Sequence, residues 1–192
     1  MSVAAKWGIA LLAFVVISAA LVCAGLWVHR LRRESAFIYE AVDSGDVGKI
    51  RALLNDGVYV DARGMWNETA LIHAACKHQT EAVRYLLRSG ADVNAQDEDG
   101  HSALLWALLA SSTDQPKEWT KAIRTVRVLL HAGARIDLTS TEGYSPIQWA
   151  KLRNSKLKQN PNFYAPFRER GLADPTRTMR SLAGMVLAHT SK

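Results

Sequence analysis

The chain has 192 residues, 24 Lys and Arg against 18 Asp and Glu, and 48% hydrophobic residues, for a formal charge of +6. That balance excludes a wholly disordered polymer, and 12 Gly with 5 Pro exclude collagen-like or low-complexity composition. Two cysteines cannot build a disulfide framework, and the length holds one small domain or a short repeat array rather than a two-domain enzyme. The charge is unevenly spread: residues 1–34 carry a net +3, residues 35–150 a net −4 and residues 151–192 a net +7.

After a short flank (1–6), Trp7 to Val28 runs for 22 residues without charge or proline. As a helix it spans about 33 Å, enough for a hydrocarbon core of about 30 Å. Trp7 and Trp27 stand near its ends, where indoles favour the membrane interface. A cleaved signal peptide is the rival, with Lys6 ahead and Ser18-Ala19-Ala20 as a cleavage signal, but the apolar run continues eight residues past Ala20. The expectation is an uncleaved transmembrane helix over 7–28 and a basic juxtamembrane segment over 29–34. His29, Arg30, Arg32 and Arg33 outweigh Lys6, which places the body on the cytoplasmic side. The margin is one or two charges, so the extracytoplasmic topology is the alternative.

The body repeats itself. Leu53-Leu54 returns as Leu86-Leu87 and Leu129-Leu130, at spacings of 33 and then 43. Gly57, Gly90 and Gly133 take the same steps, as do Thr69-Ala70-Leu71, Ser102-Ala103-Leu104 and Ser145-Pro146-Ile147. One period with one shared ten-residue insertion marks a repeat array. Thr69, Ser102 and Ser145 are N-cap types ahead of short apolar runs. Ala82-Val83-Tyr85-Leu86-Leu87 and Ile123-Val126-Val128-Leu129-Leu130 read as buried second helices. The glycines that follow sit where a left-handed residue ends a helix. Residues 94–100 read as a hairpin tip. Single pairs of short helices cannot bury their apolar faces alone, so the units must stack.

These residues resemble the ankyrin repeat. Leu86-Leu87-Arg88-Ser89-Gly90-Ala91-Asp92-Val93-Asn94 meets the family's unit ending in full, and Leu129 to Asp137 meets it conservatively. The openings are weaker: proline occurs only at Pro146, and Ile72, Leu105 and Gln148 replace the family histidine, with His73 one position late. The resemblance covers residues 35–152, in units 35–63, 64–96, 97–138 and a partial 139–152. It implies an all-α ankyrin-repeat solenoid of helix–turn–helix units with β-hairpin tips, here preceded by one transmembrane helix. It also implies partner binding through the tips and the adjoining inner helix face.

The tip residues are Arg63, Met65, Trp66 and Asn67; Gln96, Glu98, Asp99 and His101; and Thr141, Glu142 and Tyr144. Trp66 and Tyr144 are large aromatics at positions expected to be exposed, the type that anchors interfaces. His73, Trp106 and Trp149 share one register position, and packing between units is the expected role. Residues 111–121 (SSTDQPKEWTK), with Trp119, read as a polar loop inserted in the third unit, a tolerated extension.

The tail over 153–192 is basic. Lys151, Arg153, Lys156 and Lys158 cluster before the aromatic stretch Phe163 to Phe167. Met179, Leu182, Met185, Val186 and His189 then fall at helical spacing, which predicts a helix that caps the stack. The basic ends suit anionic lipid, although a solvated face is the expected role of the tail cluster. Nucleic acid is not an expected partner, because the body is acidic and no reading motif appears.

No catalytic or metal site is expected. His73, Cys76 and His78 lack a fourth ligand, and Asp97-Glu98-Asp99-Gly100 lacks the rest of a calcium loop. No phosphate loop, cofactor motif or nucleophile–base pair occurs. The expected function is a membrane-anchored adaptor or scaffold for a protein partner, without enzymatic activity. An inhibitory or immunity-type protein that neutralises one enzyme or toxin, on the extracytoplasmic side, is the alternative.

Overall fold

The computed structural model describes residues 37–110, 116–159 and 175–189, with 17, 18, 20, 22 and 23. The elements are α1, described over 37–43, then α2 (Val47–Asn55), α3 (Ala70–Cys76), α4 (Thr80–Arg88), α5 (Ala103–Ala110), α6 (Pro116–His131), α7 (Pro146–Gln159) and α8 (Pro175–Ala188). First helices α3, α5 and α7 pack in succession, and second helices α2, α4 and α6 form the row behind them.

Local chemistry sets the helix starts. Thr69 Oγ1 accepts from the N–H of Ile72 at 3.3 Å, Ser102 Oγ from Leu105 at 3.3 Å and Ser145 Oγ from Gln148 at 3.4 Å. Each hydroxyl satisfies an orphan donor of the first turn. At the third start Gln148 Oε1 also accepts from the Ser145 N–H at 2.8 Å, which completes a capping box. The residue that departs from the family histidine thus supplies its own second cap.

The second helices end alike. The N–H groups of Val58, Ala91 and Ala134 reach back five residues to the carbonyls of Leu53, Leu86 and Leu129, at 3.1, 3.0 and 3.0 Å. Gly57, Gly90 and Gly133 sit between at φ of 92°, 90° and 86°, so each end is a Schellman turn. A Cβ built on Gly90 meets nothing within 4 Å. Gly90→Ala is therefore expected to cost about 1 kcal/mol from the left-handed backbone alone, read as a lower urea midpoint at unchanged slope.

The core runs along the stack. α5 is apolar on all sides and is enclosed by α3, α6 and α7, with Leu104, Leu105 and Leu108 fully buried. α4 is amphipathic and buries Ala82, Val83 and Leu86. Between α4 and α6 the buried hydroxyl of Thr125 meets Thr80 Oγ1 at 2.9 Å, so this polar pair is satisfied inside the seam.

Three expectations change. The insertion is less of a loop than predicted: α6 starts at Pro116, so residues 116–121 lengthen the second helix, with proline at its first position where no N–H is missed. Residues 111–115 and the side chain of Trp119 lie outside the described residues. The tips are not β-hairpins, since the described residues hold one isolated antiparallel bridge, Gln96 to Ser102, and no strand. The capping residue at each helix start follows the turn at once and leaves no length for a ladder. At the C-terminal end α7 continues to Gln159, and α8 packs along both α7 and α6. α8 occupies the place of a second helix and makes the fourth unit whole, burying Leu182, Ala183 and Val186.

Of the expected span 7–28 only residues 17, 18, 20, 22 and 23 are described, all helical. Trp7, Trp27, Arg30, Arg32 and Arg33 lie outside the described residues, as do the side chains of Arg153, Lys156 and Lys158. Among the described residues no helix is long and apolar enough to cross a membrane.

Candidate partner-binding face

The three tips are one motif used three times. Gly64 N–H donates to Glu68 O at 2.9 Å, Asp97 N–H to His101 O at 3.1 Å and Ser140 N–H to Tyr144 O at 2.8 Å. Neighbouring tips are laced in register: Glu98 N–H donates to Trp66 O at 3.2 Å and Thr141 N–H to Asp99 O at 2.8 Å. The fourth residue of each turn is left-handed, Asn67 at φ 54°, Gly100 at 76° and Gly143 at 81°. Asparagine tolerates that region better than other non-glycine residues.

This lacing divides the predicted tip residues. Arg63 is exposed, yet its Nη1 donates to Asn67 O at 2.7 Å and Gln96 O at 2.6 Å, strapping the first tip to the second. Gln96 Nε2 donates to Gly100 O at 2.5 Å and Thr139 O at 3.3 Å. His101 is half-buried beside Trp106, ring centroids 5.1 Å apart. Thr141 Oγ1 donates to Asp99 O at 3.1 Å. These side chains, with Asn67, hold the tips together.

Six others point outward. Met65 is 85% exposed, Trp66 61% and Tyr144 50%, and Glu98, Asp99 and Glu142 are exposed as well. By register Met65 and Trp66 correspond to Glu98 and Asp99, and then to Thr141 and Glu142. The row is therefore apolar at one end and acidic through the middle, with Tyr144 behind the last carboxylate.

Polarity extends this division over the body. Across α2, α4 and α6 the sequence carries eight Lys and Arg against two acids. The rest of residues 35–150 carries three against thirteen. The acids lie in α1, the tips and the connecting loops, α3 and α5 carry no Lys, Arg, Asp or Glu, and the second helices are the basic elements.

The shared aromatic column packs as a column. Trp106 Nε1 donates to Asp97 Oδ2 at 2.6 Å, while Asp97 Oδ1 accepts from the N–H groups of Asp99 and His101. Trp149 is buried. His73 stands edge-on to the Tyr39 ring, its Nε2 2.8 Å from Asp43 Oδ1 and its Nδ1 3.5 Å from Glu68 Oε2. The hydrogen bond to Glu68, then that to Asp43, raises the imidazole against the opposing effect of burial. His73 in turn holds the Asp43 carboxyl below its usual range, with Lys77 adding to it. Burial, then the Glu68 charge, pushes the Tyr39 phenol up, and its hydroxyl donates to Glu68 O at 2.6 Å.

A pH dependence follows. The raised histidine contributes stability that is complete below its ordinary value of 6.5 and is lost as pH rises through the folded value. The lowered carboxyl contributes above 3.8 and loses that contribution in acid. Between those limits both are present. Because Asp43 is half-exposed, the net effect is expected to be under about 1 kcal/mol. It is measured as a stability gap between the wild type and His73→Asn that narrows from pH 6 to pH 8.5.

Among the described residues no group of three or more His, Cys, Asp and Glu is placed to hold a metal ion.

The family described as Ankyrin repeats (3 copies) matches residues 37–139. Ankyrin repeat, SAM and basic leucine zipper domain-containing protein 1 of Carollia perspicillata is 32% identical over 76 residues, 40% of this chain and 16% of that protein. Its Mus musculus counterpart is 34% identical over 76 residues, with the same coverage. The inactive serine/threonine-protein kinase TEX14 of Bos taurus is 34% identical over 84 residues, 43% of this chain and 6% of that protein. The chain thus spans 16% or less of these relatives. With its repeat period, Schellman ends and laced tips all in one register, the chain belongs to the ankyrin repeat family, whose repeats generally mediate protein–protein interaction.

Proposed function

We propose that the chain is a membrane-anchored adaptor that captures a protein partner on its tip row. The observation that carries this reading is the row itself. Backbone bonds fix three turns in register, and six outward side chains are free of that lacing. A fixed row loses little entropy on docking, which favours affinity. The partner it suits is a basic segment with one large apolar residue: the carboxylates of Glu98, Asp99 and Glu142 meet the cations, and Met65 with Trp66 receives the apolar side chain.

The anchor rests on the uncharged 22-residue stretch 7–28, long enough for a bilayer. The arginines behind it favour a cytoplasmic body. Held at a membrane, the row works at a raised effective concentration toward other membrane-bound proteins. The reading is of a binding module without catalysis.

Two arms test it. A reporter fused after Lys192 is expected to be active only on the cytoplasmic side, and activity on the other side would overturn the orientation. Co-precipitation by the full chain is expected to lose its partner when Glu98, Asp99 and Glu142 are changed together to lysine. Retention by that variant at physiological salt would overturn the tip row as the binding face.

A further inference from the structure

The basic second helices hold a built feature that partner capture by the tips does not use. Arg51, Arg84 and Arg127 occupy the same register position in three successive second helices, at spacings of 33 and 43. Arg51 is engaged, its guanidinium 5.5 Å above the Tyr85 ring. The next two are not held in that way. Between α4 and α6 lies an open cleft of about 390 Å³ lined by Arg84, Arg124, Arg127, Val128 and His131.

Its charges are poorly compensated. Arg84 has one loose contact, Nε to Glu81 Oε1 at 3.7 Å on an exposed face. Arg124 and Arg127 make no side-chain ion pair or hydrogen bond among the described residues. His131 Nδ1 donates to the Arg127 carbonyl at 2.7 Å, which ties the imidazole to the helix and leaves the Arg127 guanidinium out of that bond. Three arginines thus line one cleft in a body whose net charge is negative. Salt-bridged surface arginines would give a solvated face; here only Arg84 has a carboxylate near it, and at the loose distance of 3.7 Å.

Guanidinium forks match the geometry of phosphoryl oxygens, and several forks around one cleft suit a dianion better than a carboxylate. We infer that the cleft between α4 and α6 is a binding site for a phosphoryl group, held by Arg84, Arg124 and Arg127. The same chemistry is offered by a soluble phosphate ester and by a phosphorylated lipid headgroup. None of the residues lining the site belongs to the tip row, so it can be filled while a protein partner is docked there. It stands independently of the adaptor reading.

The test follows the side-chain Nε–Hε signals of arginine by NMR in the full chain held in an uncharged detergent. One arm adds inorganic pyrophosphate, and the other dopes the micelles with a phosphatidylinositol phosphate. Saturable shifts of the Arg84, Arg124 and Arg127 signals are expected at physiological salt, with affinity falling about tenfold for each arginine removed in Arg124→Ala and Arg127→Ala. Response in the first arm marks a soluble ligand as a source, and response in the second marks the headgroup; either supports the site. Arg135→Ala serves as control, because that guanidinium is already paired with Asp137 at 2.8 Å away from the cleft. No saturable shift in either arm would overturn the inference. So would binding that the Arg124 and Arg127 variants leave intact, or that Arg135→Ala weakens equally.

Discussion

Leu182→Asp is expected to detach α8 and unravel the C-terminal half of the stack. Leu182 is fully buried, and its helix lies along both α6 and α7. The substitution removes a leucine from a packed seam, which alone costs about 2–5 kcal/mol, and puts a carboxylate in its place. A loss of about 4 kcal/mol or more is a large share of the roughly 5–15 kcal/mol that holds a domain together. Repeat arrays depend on nearest neighbours, so the damage is expected to be graded. Amide exchange should rise most in α6 and α7 and least in α1 to α3. Arg180→Ala, an exposed position on the same helix, is expected to change stability by less than about 0.5 kcal/mol. An unchanged denaturation midpoint for Leu182→Asp would mean that α8 is not part of the fourth unit.

Trp66→Ala combined with Tyr144→Ala is expected to abolish partner capture while leaving the fold intact. Both rings are at least half exposed, and Trp66 and Tyr144 bond within the tips through their backbone groups and not their rings. Their removal is expected to shift stability by no more than about 0.5 kcal/mol. Interface aromatics of this kind typically contribute about 2 kcal/mol or more each when truncated, so each loss weakens binding about thirtyfold. Titration of the co-precipitated partner against the full chain measures it. A double variant that binds within threefold of wild type would show that these rings lie outside the interface.

Much of this is legible in the chain because it is local. A hydroxyl three residues ahead of the amide it caps, and a glycine just past a buried leucine pair, need no knowledge of the rest of the fold. What stays hidden joins distant residues. Arg63 reads as a free tip cation, yet it binds a carbonyl 33 residues away. Asn67 reads as a polar contact residue, yet it does the conformational work of Gly100 and Gly143 in its own turn. Gln148 reads as a departure from the family pattern, although a serine three residues before a glutamine is a capping-box signal. α8 has the right periodicity, but its seat beside α6 follows from tertiary packing and not from any spacing. The arginine register was present in the same arithmetic as the leucines and glycines, and it becomes informative only once the second helices are seen side by side.

The most direct measurement is photo-crosslinking of the full chain in intact cells, with a benzophenone amino acid placed in turn at Trp66, Tyr144, Arg88 and Lys49. One and the same protein is expected to be trapped from Trp66 and Tyr144 and not from the two second-helix positions. Adducts confined to Arg88 and Lys49, or none from the tips at all, would contradict the tip row as the binding face.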